Sequence, residues 1–558
     1  MIFTFPIEYQ TKSKHLSSFI TNDLELANTI DASNLTINQQ LFTPTTDIGL
    51  EINKHMLHNY SYDSSFLKDT QSMLKKYKIK KLKNVNKIND IINENNKLTN
   101  FKEKYFYIEW DCLEMLNQNE NFLTIMSFYN LSSPVLSLLF PFLLLFIPFF
   151  ILQIQQKPIE INEYLIILRS VLSNHAIGKV LFQWNNAKGG EKVYILLSLA
   201  FYIFSIYQNI RYCIRFYNNI KTIHTELFLL KDYILNTLLN MEHYLSISKK
   251  LKTYKKFSVR LLEIKNKLET FCNKINFTPF EFSYKKVLEI GNILKVYYEF
   301  NKSPEMQEAL LYSLEFNGYL DNLNGLKKHI LSKKINFVSF GDKTNFKNIY
   351  YPSLIKNKPI VNDLSIVKNI ILTGPNASGK TTILKSCLIN IILSQTYGCG
   401  CYSNSTIQLY KHLHCYLNIP DTLGRDSLFQ AEARRCKEII DSITKYPTDT
   451  HFCAFDELYS GTNPKEAISS ATAFMEYIIK NKNVDCLLTT HFIDVCEKLD
   501  KHERIQNYLM SVKVEEDNKI KFTYQVKEGI SKISGGIDIL KKLNYPKEII
   551  DSSTDQLS

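Results

Sequence analysis

Residues 369–382 read NIILTGPNASGKTT. The β-branched run 369–372 reads as a strand. Gly374, Pro375, Asn376, Ala377, Ser378, Gly379, Lys380 and Thr381 then fit the spacing G-x-x-x-x-G-K-[ST]. A helix-patterned stretch, TILKSCLINIILS, starts at Thr382. Strand, loop and helix in that order are the context in which such a loop holds phosphate. Its glycines let backbone N–H groups converge on phosphate oxygens at a helix N-terminus. Lys380 is expected to pair with the β- and γ-phosphates of ATP, and the Thr381 hydroxyl to ligate Mg²⁺.

Working outward, the texture from about residue 335 alternates short β-branched runs with helical stretches, the pattern of a parallel sheet with crossover helices. One run, HFCAFDE (451–457), is an apolar strand ending in two acids. Asp456 is expected to hold Mg²⁺ through water, and Glu457 to polarise the attacking water. Another, LLTTH (487–491), ends in His491, which at this spacing reads as a γ-phosphate sensor.

The order and detail of these motifs resemble the ATPase domain of the MutS family, a branch of the ABC-type ATPases. TGPNASGKTT resembles the family's P-loop. FDELYSGTNPKEA (455–467) is similar to its Walker B stretch, and TTHF (489–492) to its A-T-H-[YF]. YYPSLIKNKPIVNDLSI (350–366) resembles the lead-in to the P-loop. DSLFQAE (426–432) resembles the S-T-F-x-x-E signature. YQVKEGISKISGGIDILKKLNYPKEII (524–550) resembles the C-terminal motif. A fainter likeness, LFTPTTDIGLEINKHMLHNY (41–60), looks like the opening of the family's helical core. The resemblance implies a homodimer in which Ser427 of one subunit meets the nucleotide of the other. It also implies DNA as a partner. The core-like opening near residue 40 leaves no room before it for a mismatch-reading domain, and no Phe-x-Glu wedge precedes it, so the resemblance does not extend to mismatch recognition.

The remaining two thirds read mostly as helix. Two segments are too apolar for a soluble surface. VLSLLFPFLLLFIPFFILQI (135–154) carries no charge. Twenty helical residues span about 30 Å, the thickness of a bilayer's hydrocarbon core. VYILLSLAFYIFSIYQNI (193–210) is weaker, with Ser198, Ser205, Gln208 and Asn209 inside it and Lys192 and Arg211 bracketing it. Tyr194, Tyr202 and Tyr207 could lie at an interface. Together they are expected to form a two-span membrane hairpin on which the ATPase domain does not depend for folding.

The 558 residues carry a net charge of +12, which permits nucleic acid or anionic lipid as a partner. Two lysine clusters stand out, 75–87 and 249–256. The eleven cysteines form no C-x-x-C pair, as expected of free thiols in a reducing compartment. The N-terminus lacks the pattern of a signal peptide.

The expected fold class is α/β: a mostly helical core and lever region, then a C-terminal ABC-type P-loop NTPase domain, with a transmembrane helical hairpin. The expected domains are 1–130, core-like; 131–212, the hairpin; 213–340, lever-like; and 341–558, the ATPase. ATP supply places both flanks in the cytoplasm and the loop 155–192 across the membrane. Two functions fit: an ATP-gated clamp on DNA, as in mismatch repair or recombination, or a membrane-anchored mechanochemical ATPase acting on protein or lipid.

Overall fold

A computed structural model describes every residue except 32, 157, 159, 278–283, 418–426, 515–519, 533–544 and 556–558. Asp426 and much of the C-terminal motif thus lie outside the described residues.

The chain divides into two compact units that are not consecutive in sequence. The first holds Met1–Val85, Thr237–Lys265 and Leu311–Ser558; the second holds Asn86–Asn236 and Asn266–Leu310. The boundaries differ from the linear division that the sequence suggests, because the stretches that pack together are hundreds of residues apart.

In the first unit, a six-stranded sheet runs in the order His412–Tyr416, His451–Asp456, Val484–Thr490, Asn369–Thr373, Ile505–Val514, Ile520–Glu528. The first five strands are parallel and the last pairs antiparallel. Asn369–Thr373 and Val484–Thr490 are buried at every position, as expected of central strands covered on both faces. A four-stranded sheet of Ser339–Phe340, Asn404–Ile407, Thr344–Ile349 and Asn362–Ile366 lies in the same unit.

The helix Lys380–Tyr397 is buried along almost its whole length. Its last turn binds residues near the N-terminus. Gln395 donates to Ser61 O at 3.1 Å, Thr396 to Asn59 O at 2.9 Å, and Tyr397 to Met56 O at 3.1 Å. Gln395 and Thr396 also donate to Tyr410 O and Ile392 O, whereas the buried Tyr397 hydroxyl finds its partner in Met56.

The helices Gly189–Ser248 and Lys255–Lys274 are separated at the second lysine cluster. Asp69 accepts from the Thr253 amide at 3.1 Å and its hydroxyl at 2.8 Å, and Tyr254 meets Thr70 at 3.0 Å. These bonds fix a 3₁₀ turn, Lys252–Tyr254, on the helix Ser64–Lys76, and leave the lysines of 249–256 exposed.

The second unit contains both apolar segments. Glu120–Ile154 and Gly189–Ser248 are long and apolar enough to cross a membrane, and protein buries only 17% and 6% of their apolar windows. The latter helix continues past residue 236 into the first unit. The two run antiparallel: Cys213 reaches Leu131 O at 3.5 Å, Asn209 donates to Ser137 Oγ at 2.5 Å, and Tyr202 donates to Ser137 O at 3.0 Å.

Each proline in the first of these helices removes an N–H and so leaves the carbonyl four residues earlier without its helical donor. All three carbonyls find another. Pro134 leaves Asn130 O, which takes the Ser133 hydroxyl at 3.2 Å. Pro141 leaves Ser137 O, which takes Tyr202. Pro148 leaves Leu144 O, which takes the Ile147 N–H where Leu144–Phe146 tightens to a 3₁₀ turn. Between the apolar helices, where the sequence suggests a loop, two further helices form: Ile161–Ser173 and Ala176–Gln183, bent by 114°.

Candidate nucleotide site

The phosphate loop joins the strand Asn369–Thr373 to the helix Lys380–Tyr397. Gly379 is its N-cap at φ +98°, a conformation open to glycine, and a Cβ there would lie 3.2 Å from the Tyr524 ring. Ala377 also adopts a left-handed conformation, φ +63°. Ser378, part of this loop, is buried.

Lys380 is 6% exposed. Its ammonium donates to Gly374 O at 2.9 Å and Pro375 O at 3.3 Å, and lies 3.9 Å from Glu457 Oε1. Burial lowers its pKa, opposed by the charges of Glu457 and Asp456. Thr381 donates to Asp456 Oδ2 at 2.8 Å, and the Thr489 hydroxyl bonds Asp456 Oδ1. Glu457 stands just past the end of its strand at φ +50°, with its N–H on Thr489 O at 2.9 Å. Such non-glycine strain concentrates at functional sites. His491 Nδ1 lies 3.4 Å from Glu457 Oε1. Its hydrogen bond, then its charge and that of Lys380, hold the Glu457 carboxyl below the usual range against the effect of burial.

The loop opens on a cavity of about 690 Å³, a size suited to a small organic ligand. Residues 376–382 and Glu457 line its polar side; Tyr350, Tyr351, Leu354, Ile360 and Tyr524 line the remainder. Tyr524 is held through Asn362, which donates to Tyr524 O at 3.1 Å and accepts from Val526 N at 2.8 Å. Asn376 to Thr382 of the phosphate loop and Glu457 of the acidic strand thus meet here, with Asp456 bonded to Thr381. The aromatic wall was missed; its only signal was tyrosine at both ends of the flanking motifs.

Ser427 is placed elsewhere. It is exposed, and caps the helix Leu428–Lys445 in a capping box with Gln430. That helix is fastened to the segment after Glu457. Glu432, 2% exposed, accepts from Ser460 Oγ at 3.0 Å and from Gly461 N at 3.1 Å. The Phe429 and Tyr459 rings lie 5.8 Å apart. A Cβ on Gly461 would sit 2.7 Å from Leu428 Cγ, so glycine permits the approach.

The oxygen pair of Thr381 and Asp456, adjacent at 2.8 Å, is the donor chemistry that a hard cation such as Mg²⁺ takes.

Residues 370–558 match the MutS domain V family. A DNA mismatch repair protein MutS of Parabacteroides distasonis is 30% identical over 235 residues, covering 39% of this chain and 26% of that protein. Those of Fusobacterium nucleatum and Clostridium perfringens are 29% and 28% identical over 275 and 295 residues, or 44% and 45% of this chain. The match spans 26 to 32% of the length of these three relatives. The sheet order, the phosphate loop and these likenesses converge: residues 370–558 form a domain similar to MutS domain V.

Proposed function

We propose that this protein binds Mg·ATP and hydrolyses it between two copies of the chain, that it is anchored in a membrane by the hairpin 131–212 with its ATPase unit in the cytoplasm, and that the ATP cycle gates a grip on DNA. The observation that carries the nucleotide chemistry is the meeting of Lys380, Thr381 and Glu457 on one cavity, with Asp456 bonded to Thr381 and His491 beside Glu457. Gly374 to Thr382 hold the triphosphate through backbone N–H groups, with Lys380 adding charge. Thr381 and Asp456 hold Mg²⁺, which neutralises phosphate charge when bound. Lys380 now leans on Glu457; incoming phosphate competes for the ammonium and leaves the carboxylate to orient water. His491 fixes that carboxylate and keeps it ionised. Ser427, exposed at a helix N-terminus, is available to the partner subunit's γ-phosphate.

DNA is supported by what the relatives' names say of those proteins and by the lysines of 75–85 and 249–256, which share a unit with the ATPase. Membrane anchoring is supported by the rescued carbonyls of Ser137 and Leu144: in hydrocarbon no water replaces a lost donor, so each must be answered by protein. That same hairpin favours a second reading, a membrane-anchored mechanochemical ATPase acting on protein or lipid.

The test is ATP turnover by purified full-length protein with duplex DNA, branched DNA or liposomes. Stimulation by DNA alone supports the clamp; stimulation by liposomes alone selects the second reading. Lys380→Ala is expected to lose ATP binding. Glu457→Ala is expected to bind ATP and hydrolyse it at least tenfold more slowly, and equal turnover would refute the role of Glu457.

A further inference from the structure

The bent pair Ile161–Ser173 and Ala176–Gln183 is apolar enough to be counted as a third crossing. Topology decides against that. The first unit contains both Met1–Val85 and Leu311–Ser558, joined by the bonds of Gln395, Thr396 and Tyr397 to residues 56–61. One folded body lies on one side of a membrane, so the chain between its parts must cross an even number of times. With Glu120–Ile154 and Gly189–Ser248 as two crossings, a third is forbidden.

Yet the pair does not stay outside the apolar layer. The His175 ring, at the bend, packs edge-on against Tyr202 with centroids 4.9 Å apart and lies 6.0 Å from the Phe140 ring. Phe140 is fourteen residues before Ile154, about 21 Å along a helix. The bend therefore sits past the middle of a hydrocarbon core about 30 Å thick. Tyr164 donates to Leu145 O, at the 3₁₀ break beside Pro148. The helices touch closely: a Cβ on Gly178 would fall 1.8 Å from Leu172 O.

The charges point back out. Lys179 lies 4.5 Å over the Tyr194 ring and donates to its hydroxyl at 3.1 Å, near the start of the second apolar segment. Arg169 lies 5.8 Å from the Phe182 ring, two residues before Trp184. Long basic side chains reach for an interface in this way while their stems stay in apolar surroundings.

We infer that residues 161–183 form a re-entrant helical hairpin that enters the bilayer from the side opposite the ATPase, reaches past its middle at His175 between the two spanning helices, and leaves on the side where it entered. This rests on the membrane reading above. Its occupant is lipid hydrocarbon on the outer face of the pair and the spanning helices on the inner face.

The test uses full-length protein in liposomes with the ATPase unit outside. Cys112 and Cys213, the cysteines that are not buried, are replaced by serine. Single cysteines are then placed at Gln155, Asn174 and Asn186, and treated with a membrane-impermeant maleimide before and after the vesicles are permeabilised by a pore. Expected: Gln155→Cys and Asn186→Cys are both protected at first and both labelled after permeabilisation, while Asn174→Cys reacts at least tenfold more slowly than either until detergent is added. Labelling of Gln155→Cys and Asn186→Cys from opposite sides would mean a full crossing and overturn the inference. So would an Asn174→Cys that reacts as fast as Asn186→Cys in permeabilised vesicles, the mark of a water-exposed loop. Release of the full-length protein by carbonate would overturn the membrane reading itself, a separate failure. As a check that adds no cysteine, Trp184 is the one tryptophan left in Trp110→Phe protein. Quenching by lipids brominated near the headgroup supports a hairpin ending at the interface; no quenching by any brominated lipid overturns it.

Discussion

The hydroxyl of Tyr202 reaches Ser137 O because Pro141 cannot, and that exchange can be tested as a cycle. In the parent, Tyr202→Phe removes the donor and leaves the carbonyl bare in an apolar setting. The bond is neutral and 3.0 Å long, neither short nor charge-assisted. Side-chain hydrogen bonds inside membranes couple by about 0.6 kcal/mol on average and at most about 1.7 kcal/mol. This carbonyl has lost its helical N–H as well, so a cost near the upper half, about 1 to 1.5 kcal/mol, is expected. Pro141→Ala returns the N–H to the helix. In that background Ser137 O is already satisfied, and Tyr202→Phe is expected to cost less than about 0.5 kcal/mol, the level of an unneeded bond. The four proteins are unfolded thermally in detergent and followed by circular dichroism. An equal cost of Tyr202→Phe in both backgrounds would show that the hydroxyl serves something other than the orphaned carbonyl. No cost in the parent would show that the carbonyl needs no donor.

Tyr524→Ala removes an aromatic wall of the cavity worth about 1 kcal/mol beyond its area, so KM for ATP is expected to rise roughly fivefold with kcat kept; a fall in kcat alone would contradict a binding role. Burial raises the Asp23 carboxyl to about 6, opposed by the charge of Arg435. Protonation is therefore favoured in the folded state, and the penalty for ionising Asp23 is absent below about pH 4 and complete above about pH 6. Asp23→Asn is expected to raise the urea midpoint relative to the parent more at pH 7 than at pH 4, and an equal effect at both would refute it. Glu432→Gln replaces one charge-assisted acceptor by a donor facing Ser460 or Gly461; a loss of about 1 to 2 kcal/mol and a severalfold lower kcat, with ATP affinity kept, are expected from denaturation and kinetics. A fragment of residues 340–558 is expected to aggregate, whereas deletion of 131–212 with a short linker is expected to leave ATP binding intact. Soluble, ATP-binding 340–558 would show that residues 56–61 are dispensable.

That last pair separates what the sequence could tell from what it could not. The phosphate loop was legible because its chemistry is local: glycines, lysine and threonine act within eight residues, and strand and helix flank them directly. Asp456, Glu457 and His491 were legible because each ends or directly follows a recognisable strand. The partnership of residues 56–61 with Tyr397 spans more than 300 residues and leaves no periodic trace. Ser198, Ser205, Gln208 and Asn209 of the second apolar segment read as weaknesses in a span, and Tyr202 as an interface residue. In the fold Tyr202 is a repair for a proline in the other helix, a relation that hydropathy cannot register. Residues 161–183 read as a loop for a similar reason. Three charges break their apolar pattern, and only the structure reveals that Lys179 and Arg169 turn outward. Ser427 and Glu432 both stand in the signature-like stretch, but what Glu432 binds, Ser460 and Gly461, leaves no trace in the sequence until its donors are known.

Those donors give the helix Leu428–Lys445 a role beyond displaying Ser427. At its first turn, Leu428 rests on Gly461, Phe429 on Tyr459, and Glu432 binds Ser460 and Gly461. Farther along, Arg435 donates twice to Cys415 O, at 3.1 and 3.0 Å, and stacks 3.9 Å over the Phe19 ring. The helix is thus held at one end to the segment that follows Glu457 and at the middle to an adjacent strand and the N-terminal helix Ser18–Asp23. A close-packed contact transmits a displacement because it has little room to absorb one. If Ser427 meets a nucleotide held by the partner subunit, a shift of its helix is delivered within one turn to residues 459–461, and through them to the strained backbone of Glu457 at the subunit's own site. Two ATP molecules in such a dimer would then be coupled through Glu432 and Gly461, with no separate relay required, and the Glu432→Gln enzyme should lose that coupling before it loses its fold.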